Sequence, residues 1–195
     1  YHDNKIIAIA ANQAHHVDMG GYAPGSMPFG VTEIYQEGLQ VPPVRMFRKG
    51  KLNPDLWALV KQNVRTPFEV RGDLEAQYAG NAVGTLELSK IAGKYGVETV
   101  QVYLQEMLNY SERRMRAALS TVPDGTYDFE DFIEGDGIVD DLHAIRVRID
   151  VKNDTIRLDF SDTDDAVRGP LNCRLPSVAS CVYYVLKAML DPDLP

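Results

Sequence analysis

The sequence predicts an α+β fold, with a central antiparallel helix pair flanked by a strand and Gly-rich-loop region on one side and an antiparallel β-hairpin region on the other. Three observations carry this. Apolar residues recur with a helical period from Asn53 to about Thr121, and from Pro123-Asp124-Gly125 onward the period changes to that of a strand. Near the start, residues 15–30 hold four glycines and two prolines in sixteen positions, the mark of an ordered loop without regular structure. These shifts divide the chain into 1–52, 53–121 and 122–195.

Each element follows from local chemistry. Lys5 to Ala11 (KIIAIAA) reads as a buried strand, short and apolar, ended by the polar pair Asn12-Gln13. The Gly-rich loop comes next, then a strand-like stretch from Val44 to Phe47 and a turn at Lys49-Gly50. Asn53-Pro54 opens a helix with Asn53 as N-cap and Pro54 at its first position, and Leu56, Leu59 and Val60 form its inner face. Thr66-Pro67-Phe68-Glu69 predicts a capping box for a second helix that runs to about Tyr95, with Gly96 as its stop. The inner positions of that helix are Leu74, Gln77, Tyr78, Asn81, Gly84, Leu88, Ile91 and Tyr95, so amides and a glycine imply a polar or very close interface.

A third helix over Val97–Leu119 aligns Val100, Leu104, Met107, Leu108, Met115 and Leu119 on one face, with Arg113, Arg114 and Arg116 near the C-terminal end, where the dipole favours cations. His143 to Val151 and Thr155 to Phe160 alternate apolar and polar across Lys152-Asn153-Asp154, which predicts a hairpin, and Tyr127 to Ile133 adds a third antiparallel strand. Ser177 to Leu190 closes the chain as a largely buried helix.

Composition excludes several classes of function. The chain has 195 residues and is 45% hydrophobic, enough to bury a core, and apolar runs are short, with six residues from Ile6 to Ala11. A membrane-spanning helix needs roughly 20 such residues, so no membrane segment is expected. Formal charge is -8, with acidic residues crowded between Asp128 and Asp141, and a nucleic-acid partner, which needs clustered Lys and Arg, is not expected either. The acidic stretch fits no calcium loop and reads as a solvated face. Cys173 and Cys181, eight positions apart, match neither a redox pair nor a zinc knuckle and are read as free thiols in a reducing cytoplasm.

One constellation stands out as chemistry. His15, His16 and Asp18 sit where the first apolar stretch gives way to the Gly-rich loop, with Glu33 and Glu37 downstream. Imidazole and carboxylate are common ligands for Zn, Mn and Fe(II), but a His pair in a loop serves equally well as a hydrogen-bonded structural element, and Gly20 and Gly21 are explained by a turn with positive φ. Asn63, Arg65, Arg71, Asp73, Gln77 and Asn81 gather polar groups around a helix start, where an anion would dock, although capping and inter-helix hydrogen bonds account for them too. Arg168, Gly169 and Asn172 either line a pocket or shape the turn into the last helix.

Five blocks, ANQAHHVDMGGYAPGSMP with TEIYQEGLQVPP, NVRTPFEVRGDLEAQYAGN, YSERRMRAAL with PDGTY, VRGPLNCRLPSVASCVYY and LDPDLP, resemble successive blocks of the hydantoinase B/oxoprolinase family, in family order and over nearly the whole chain. The resemblance implies an internal fragment of a longer catalytic subunit, of which all three regions are parts, and relatives carry a Gly-, Asn- and His-rich region ahead of residue 1. It also implies a hetero-oligomer with a hydantoinase A-type subunit or domain that binds ATP and Mg, which agrees with the absence of a GxxxxGK loop here. The implied substrate is a cyclic amide such as 5-oxoproline or a hydantoin. A ketone to be carboxylated, such as acetone or acetophenone, is the alternative within the family, and a docking module for the ATP-binding subunit is the alternative outside catalysis.

By the same resemblance a divalent metal, Mn, Zn or Fe, is expected on His15 and Asp18; the sequence departs from the family at the third ligand, where no histidine matches, and Glu37 is the candidate for it. His16, if not a ligand, is then the candidate general base or orients the bound water, since imidazole exchanges protons near neutral pH, with a structural hydrogen bond to a backbone carbonyl as the alternative. Arg65, Asn81, Arg168 and Asn172 are the expected substrate-binding residues.

Overall fold

The computed structural model describes residue 1 and residues 6–194. It comprises two compact units, Tyr1–Gln101 and Val102–Pro195. Among the described residues the secondary structure is α+β, with four α-helices and two small antiparallel sheets.

The first unit starts irregularly. Lys5 of the expected first strand lies outside the described residues, and Ile6–Ala11 form no strand; Ile6 and Ile9 are exposed. Apolarity makes a stretch want cover, but a strand exists only where a neighbour takes its backbone hydrogen bonds, and the described residues supply none. Two short 3₁₀ turns, Pro24–Ser26 and Ile34–Gln36, punctuate the loop that follows. A small ribbon pairs β1 (Phe47–Arg48) with β2 (Lys51–Leu52) around Lys49-Gly50, both at positive φ, so the expected turn is present and the strand sits later than Val44–Phe47.

The ribbon leads into α1 (Pro54–Asn63), capped as expected by Asn53, whose Oδ1 accepts from the Asp55 and Leu56 amides at 3.1 and 3.4 Å. Val60, Val64 and Val70 make the buried centre, packed by Met19, Leu39, Met46, Trp57 and Leu74. Leu59, assigned inward from periodicity, is exposed, and Trp57 takes the place beside Val60.

Helix α2 (Pro67–Tyr95) starts and stops where expected, with Pro67 in the first turn and Gly96 following at φ 84°. The capping box does not form. Thr66 has ψ 65°, away from the extended geometry an N-cap uses, and its hydroxyl is buried with no hydrogen-bond partner. Phe47 stacks on Tyr78 of α2 with ring centroids 4.3 Å apart, which fastens the ribbon to the helix.

Helix α3 (Val97–Leu119) begins in the first unit and runs into the second. Val100 and Leu119 are buried, whereas Leu104, Met107 and Leu108 of the same expected face are exposed. Periodicity assigns residues to a face; only a neighbour buries it.

The second unit is built on a three-stranded antiparallel sheet, β3 (Gly125–Glu134), β4 (Leu142–Lys152) and β5 (Thr155–Asp159), with β4 central. The register runs from Gly125↔Val151 to Glu134↔Leu142, and Lys152↔Thr155 closes the predicted hairpin on Asn153-Asp154 with Asn153 at φ 54°. Two opposed pairs carry opposite charge: Asp128 pairs with Arg148 at 2.9 Å and Glu130 with Arg146, so the start of the acidic stretch is one side of a cross-strand ladder. Asp136 of the same stretch is 3% exposed, and its carboxylate accepts from the Ile138, Val139 and Gly169 amides. The Val139 and Ile138 amides lead the interactions that hold its carboxyl below the usual range.

The last helix, α4 (Leu175–Leu190), lies where expected, but Tyr183, Tyr184 and Met189 are exposed, so the expected burial is absent among the described residues. Arg114 of α3 holds its C-terminal end through Asp191 and the Asp193 carbonyl.

The caps predict an unequal pair of mutational effects in urea unfolding. Asn53→Ala costs about 1 kcal/mol by orphaning two amides, while Thr66→Val stabilises by about 1 kcal/mol because it removes a buried hydroxyl that has no partner.

Candidate functional site

Four of the expected site residues, His16, Asp18, Arg65 and Asn81, lie along one contact of the first unit. From Ala10 to Asp18 the chain runs antiparallel to the N-terminal half of α2. A Cβ on Gly84 would lie 3.9 Å from the Ala10 Cβ. Asn12 donates to the Gln77 carbonyl at 2.8 Å and to Asn81 Oδ1 at 3.0 Å, and the Gln77 side chain donates back to Asn12 Oδ1 at 3.1 Å. His16 Nδ1 lies 3.6 Å from Asp73 Oδ2. Asp18 then meets Arg65, two residues before the helix begins. The amides read as inward-facing on α2 are thus the contact that holds this segment, which is the close polar interface the sequence implied.

That contact ends at Asp18. Its side chain is 3% exposed and accepts four hydrogen bonds: Oδ1 from the Gly20 and Arg65 amides at 2.9 and 3.0 Å, and Oδ2 from the Gly25 amide and the Arg65 guanidinium at 3.0 and 2.9 Å. Burial alone would raise its pKa. The Arg65 and Gly20 amides, the Arg65 side chain and the Gly25 amide outweigh it and hold the carboxyl at about 2. Arg65 also donates to the Ala23 and Gly21 carbonyls at 3.1 and 2.8 Å, so one guanidinium gathers three points of the loop.

Gly20 and Gly21 both sit at φ 83°. A Cβ on Gly20 would lie 2.4 Å from the Asn63 carbonyl oxygen, and one on Gly21 2.6 Å from that of Gln36, so only glycine lets the loop press this closely on α1 and the second 3₁₀ turn.

The remaining expected residues are dispersed. His15 and Glu37 are exposed, and Glu37 follows the second 3₁₀ turn as its C-cap. No group of three or more His, Cys, Asp and Glu side chains among the described residues is placed to hold a metal ion. His15, Asp18 and Glu37 therefore do not form a donor set in this arrangement: the Asp18 oxygens are filled by N–H donors, and the Arg65 guanidinium takes the position of a counter-cation. Arg65 and Asn81, expected on a substrate, are engaged with Asp18 and Asn12. In the second unit, Arg168 is exposed, and Asn172 secures a turn by accepting from the Val167 amide and donating to the Val167 and Gly169 carbonyls.

His16 is the site residue with chemistry to spare. Its imidazole is 14% exposed and its Nδ1 is buried without a hydrogen-bond partner, facing the Asp73 carboxylate. Sequence reasoning placed Asp73 in the polar cluster at the helix start but did not pair it with His16. The signal was present: Asp73, Gln77 and Asn81 recur every four residues and form one polar stripe along α2.

Comparison with known proteins agrees with the resemblance. The whole chain, residues 1–195, matches the family described as hydantoinase B/oxoprolinase. It is 37% identical over 195 residues to an uncharacterized protein of Methanocaldococcus jannaschii, covering 100% of this chain and 34% of that one. It is 34% identical over 203 residues to the B subunit of a putative D-/L-hydantoinase of Pseudomonas sp., covering 97% and 33%. The crystal structure of the ATP-dependent caprolactamase of Pseudomonas jessenii superposes with a TM-score of 0.77 at 31% identity, over 88% of this chain and 29% of that one. The chain thus spans about a third of the length of the curated relatives it matches.

Because the folded pKa of Asp18 lies below its ordinary value of 3.8, its stabilisation is present above about pH 4 and is lost as pH falls toward 2. The stability advantage of the wild type over Asp18→Asn, about 2 kcal/mol near pH 6, accordingly shrinks across that window in urea titrations. Gly20→Ala, forced into both a strained φ and a backbone clash, destabilises by at least about 2 kcal/mol in the same measurement.

Proposed function

Because this chain belongs to the hydantoinase B/oxoprolinase family, we propose that it is a region of the B-type subunit of an ATP-dependent hydrolase that opens a cyclic amide. The observation that carries the reading is the 31% identity and 0.77 TM-score shared with an ATP-dependent caprolactamase. The substrate class is a lactam or hydantoin ring, 5-oxoproline included. ATP and Mg belong to a hydantoinase A-type partner, so the working enzyme is a hetero-oligomer, and the regions 1–52, 53–121 and 122–195 are parts of its B-type subunit.

In this reading His16 is the proton acceptor. Opening a ring amide requires water to add to the carbonyl carbon while losing a proton, and a half-buried imidazole held against a helix suits that transfer. Arg168, exposed beside the turn that Asn172 holds, is a candidate to meet an anionic substrate group from the second unit. The divalent metal implied by the family finds no donor set in His15, Asp18 and Glu37, and no step is assigned to it.

A docking role for the ATP-binding partner is the second reading. It is favoured by Val102, Tyr103, Met107 and Leu108, all exposed within two turns of α3.

The test uses the full-length subunit assembled with its ATP-binding partner. Lactam or hydantoin is expected to stimulate ADP release, and His16→Ala to lower kcat at least tenfold with the complex intact. Stimulation by acetone or acetophenone with bicarbonate, and by no cyclic amide, would establish the carboxylase alternative instead. A His16→Ala complex with full turnover would leave this segment the docking role.

A further inference from the structure

We infer that the outer edge of β3 seats a strand of the ATP-binding partner, one in which basic residues alternate with apolar ones. The inference rests on the reading of the chain as part of a hetero-oligomer and adds to it a surface on which the partner pairs.

β3 is an edge strand of ten residues, without proline, and its register with β4 runs one-to-one from Gly125 to Glu134. Which of its backbone groups are free follows from β4. The two-residue turn makes Lys152 and Thr155 a hydrogen-bonded pair, so the even-numbered residues of β4 turn their amides toward β5. Ala144 and Arg146 agree, donating to Asp164 Oδ2 at 2.8 Å and to the Thr163 hydroxyl at 3.0 Å, both in the loop that follows β5. The odd-numbered residues of β4 therefore bond β3, through the odd-numbered residues opposite them. This leaves the amides and carbonyls of Thr126, Asp128 and Glu130 facing outward. All three residues are exposed, and no other backbone among the described residues pairs with them on that side. Phe132 is next in the series, but its amide donates to the Asp131 side chain at 2.8 Å, so the open stretch ends before it.

A regular, unpaired edge of this kind is a template for one more strand. Charge says which strand fits. Residues opposed across the sheet alternate in sign: Asp128, Arg148 and Asp159 form one rank, and Asp150 faces Arg157. At the β3 edge the ranks end on acids, Asp128 and Glu130, whose side chains stay 64% and 44% exposed despite their bonds to Arg148 and Arg146. A base beside each continues the alternation. On its other face β3 presents Tyr127 and Phe129, opposite Ile149 and Val147, so the intervening residues of the added strand are apolar. A second copy of this chain does not fit, because β3 laid on β3 sets these acids against one another.

The experiment uses the full-length subunit, alone and assembled with its ATP-binding partner. Hydrogen exchange at the Thr126, Asp128 and Glu130 amides, resolved by fragmentation mass spectrometry, should be fast in the lone subunit and about a hundredfold slower in the complex. Asp128→Pro removes an outward amide and none that bonds β4, so it should weaken assembly about tenfold more than Asp128→Ala. Asp128→Asn combined with Glu130→Gln, which keeps the backbone intact, should weaken assembly and flatten its dependence on salt. Slow exchange already present in the lone subunit overturns the proposal, because the edge is then covered by the subunit's own chain. Fast exchange within the complex, or equal assembly of Asp128→Pro and Asp128→Ala, overturns it too. Failure of the hetero-oligomer reading looks different: the wild-type subunit then forms no complex with an ATP-binding partner, and both fall together.

Discussion

The Asp18 carboxylate is the contact on which the first unit depends. A Gly-rich loop has little apolar surface to bury and much backbone to satisfy, so it adopts one shape only where a concentrated acceptor collects its amides. Asp18 does this with four hydrogen bonds, two of them from Arg65. Arg65 in turn binds the Gly21 and Ala23 carbonyls, so donors and acceptors of the same loop are satisfied by one ion pair. The side chain that looked most like a metal ligand is thereby committed to the scaffold.

That commitment also fixes where His16 lies. Asp18 anchors one end of an extended segment, and the amide exchange of Asn12 with Gln77 and Asn81 anchors the other. His16 lies between them, opposite Asp73. The second unit uses the same device once more: Asp136 accepts the Ile138 and Val139 amides of its own loop and the Gly169 amide of the turn before α4. Gly169 leaves room for this approach, since a Cβ there would lie 2.0 Å from the Asp136 carbonyl oxygen. In each unit a short acidic side chain ties remote backbone together where apolar packing is sparse.

Much of the architecture was legible because its causes are local. Proline at the first turns of α1 and α2, Gly96 after α2, Asn53 as a cap and the two-residue periodicity of β4 and β5 all act within a few residues. The readings that failed needed something distant. Ile6–Ala11 requires a partner strand, α4 and the middle of α3 require a covering surface, and the Thr66 cap required a ψ that the chain entering α2 does not adopt. The likeness of motif blocks singled out HHVD but could not assign roles within it, because an aspartate serves equally well as a ligand or as an acceptor of backbone amides.

From sequence alone came the α+β class, the order of the elements, the polar stripe on α2 and membership in the family, since each depends on residue type at fixed spacing along the chain. Tertiary structure alone decided which acid each basic group would meet: Arg65 with Asp18 across 47 positions, and His16 with Asp73 across 57. The physical reason is that a hydrogen bond is chosen by distance and direction in space. These become defined only once an extended segment has been laid against a helix and both its ends are held.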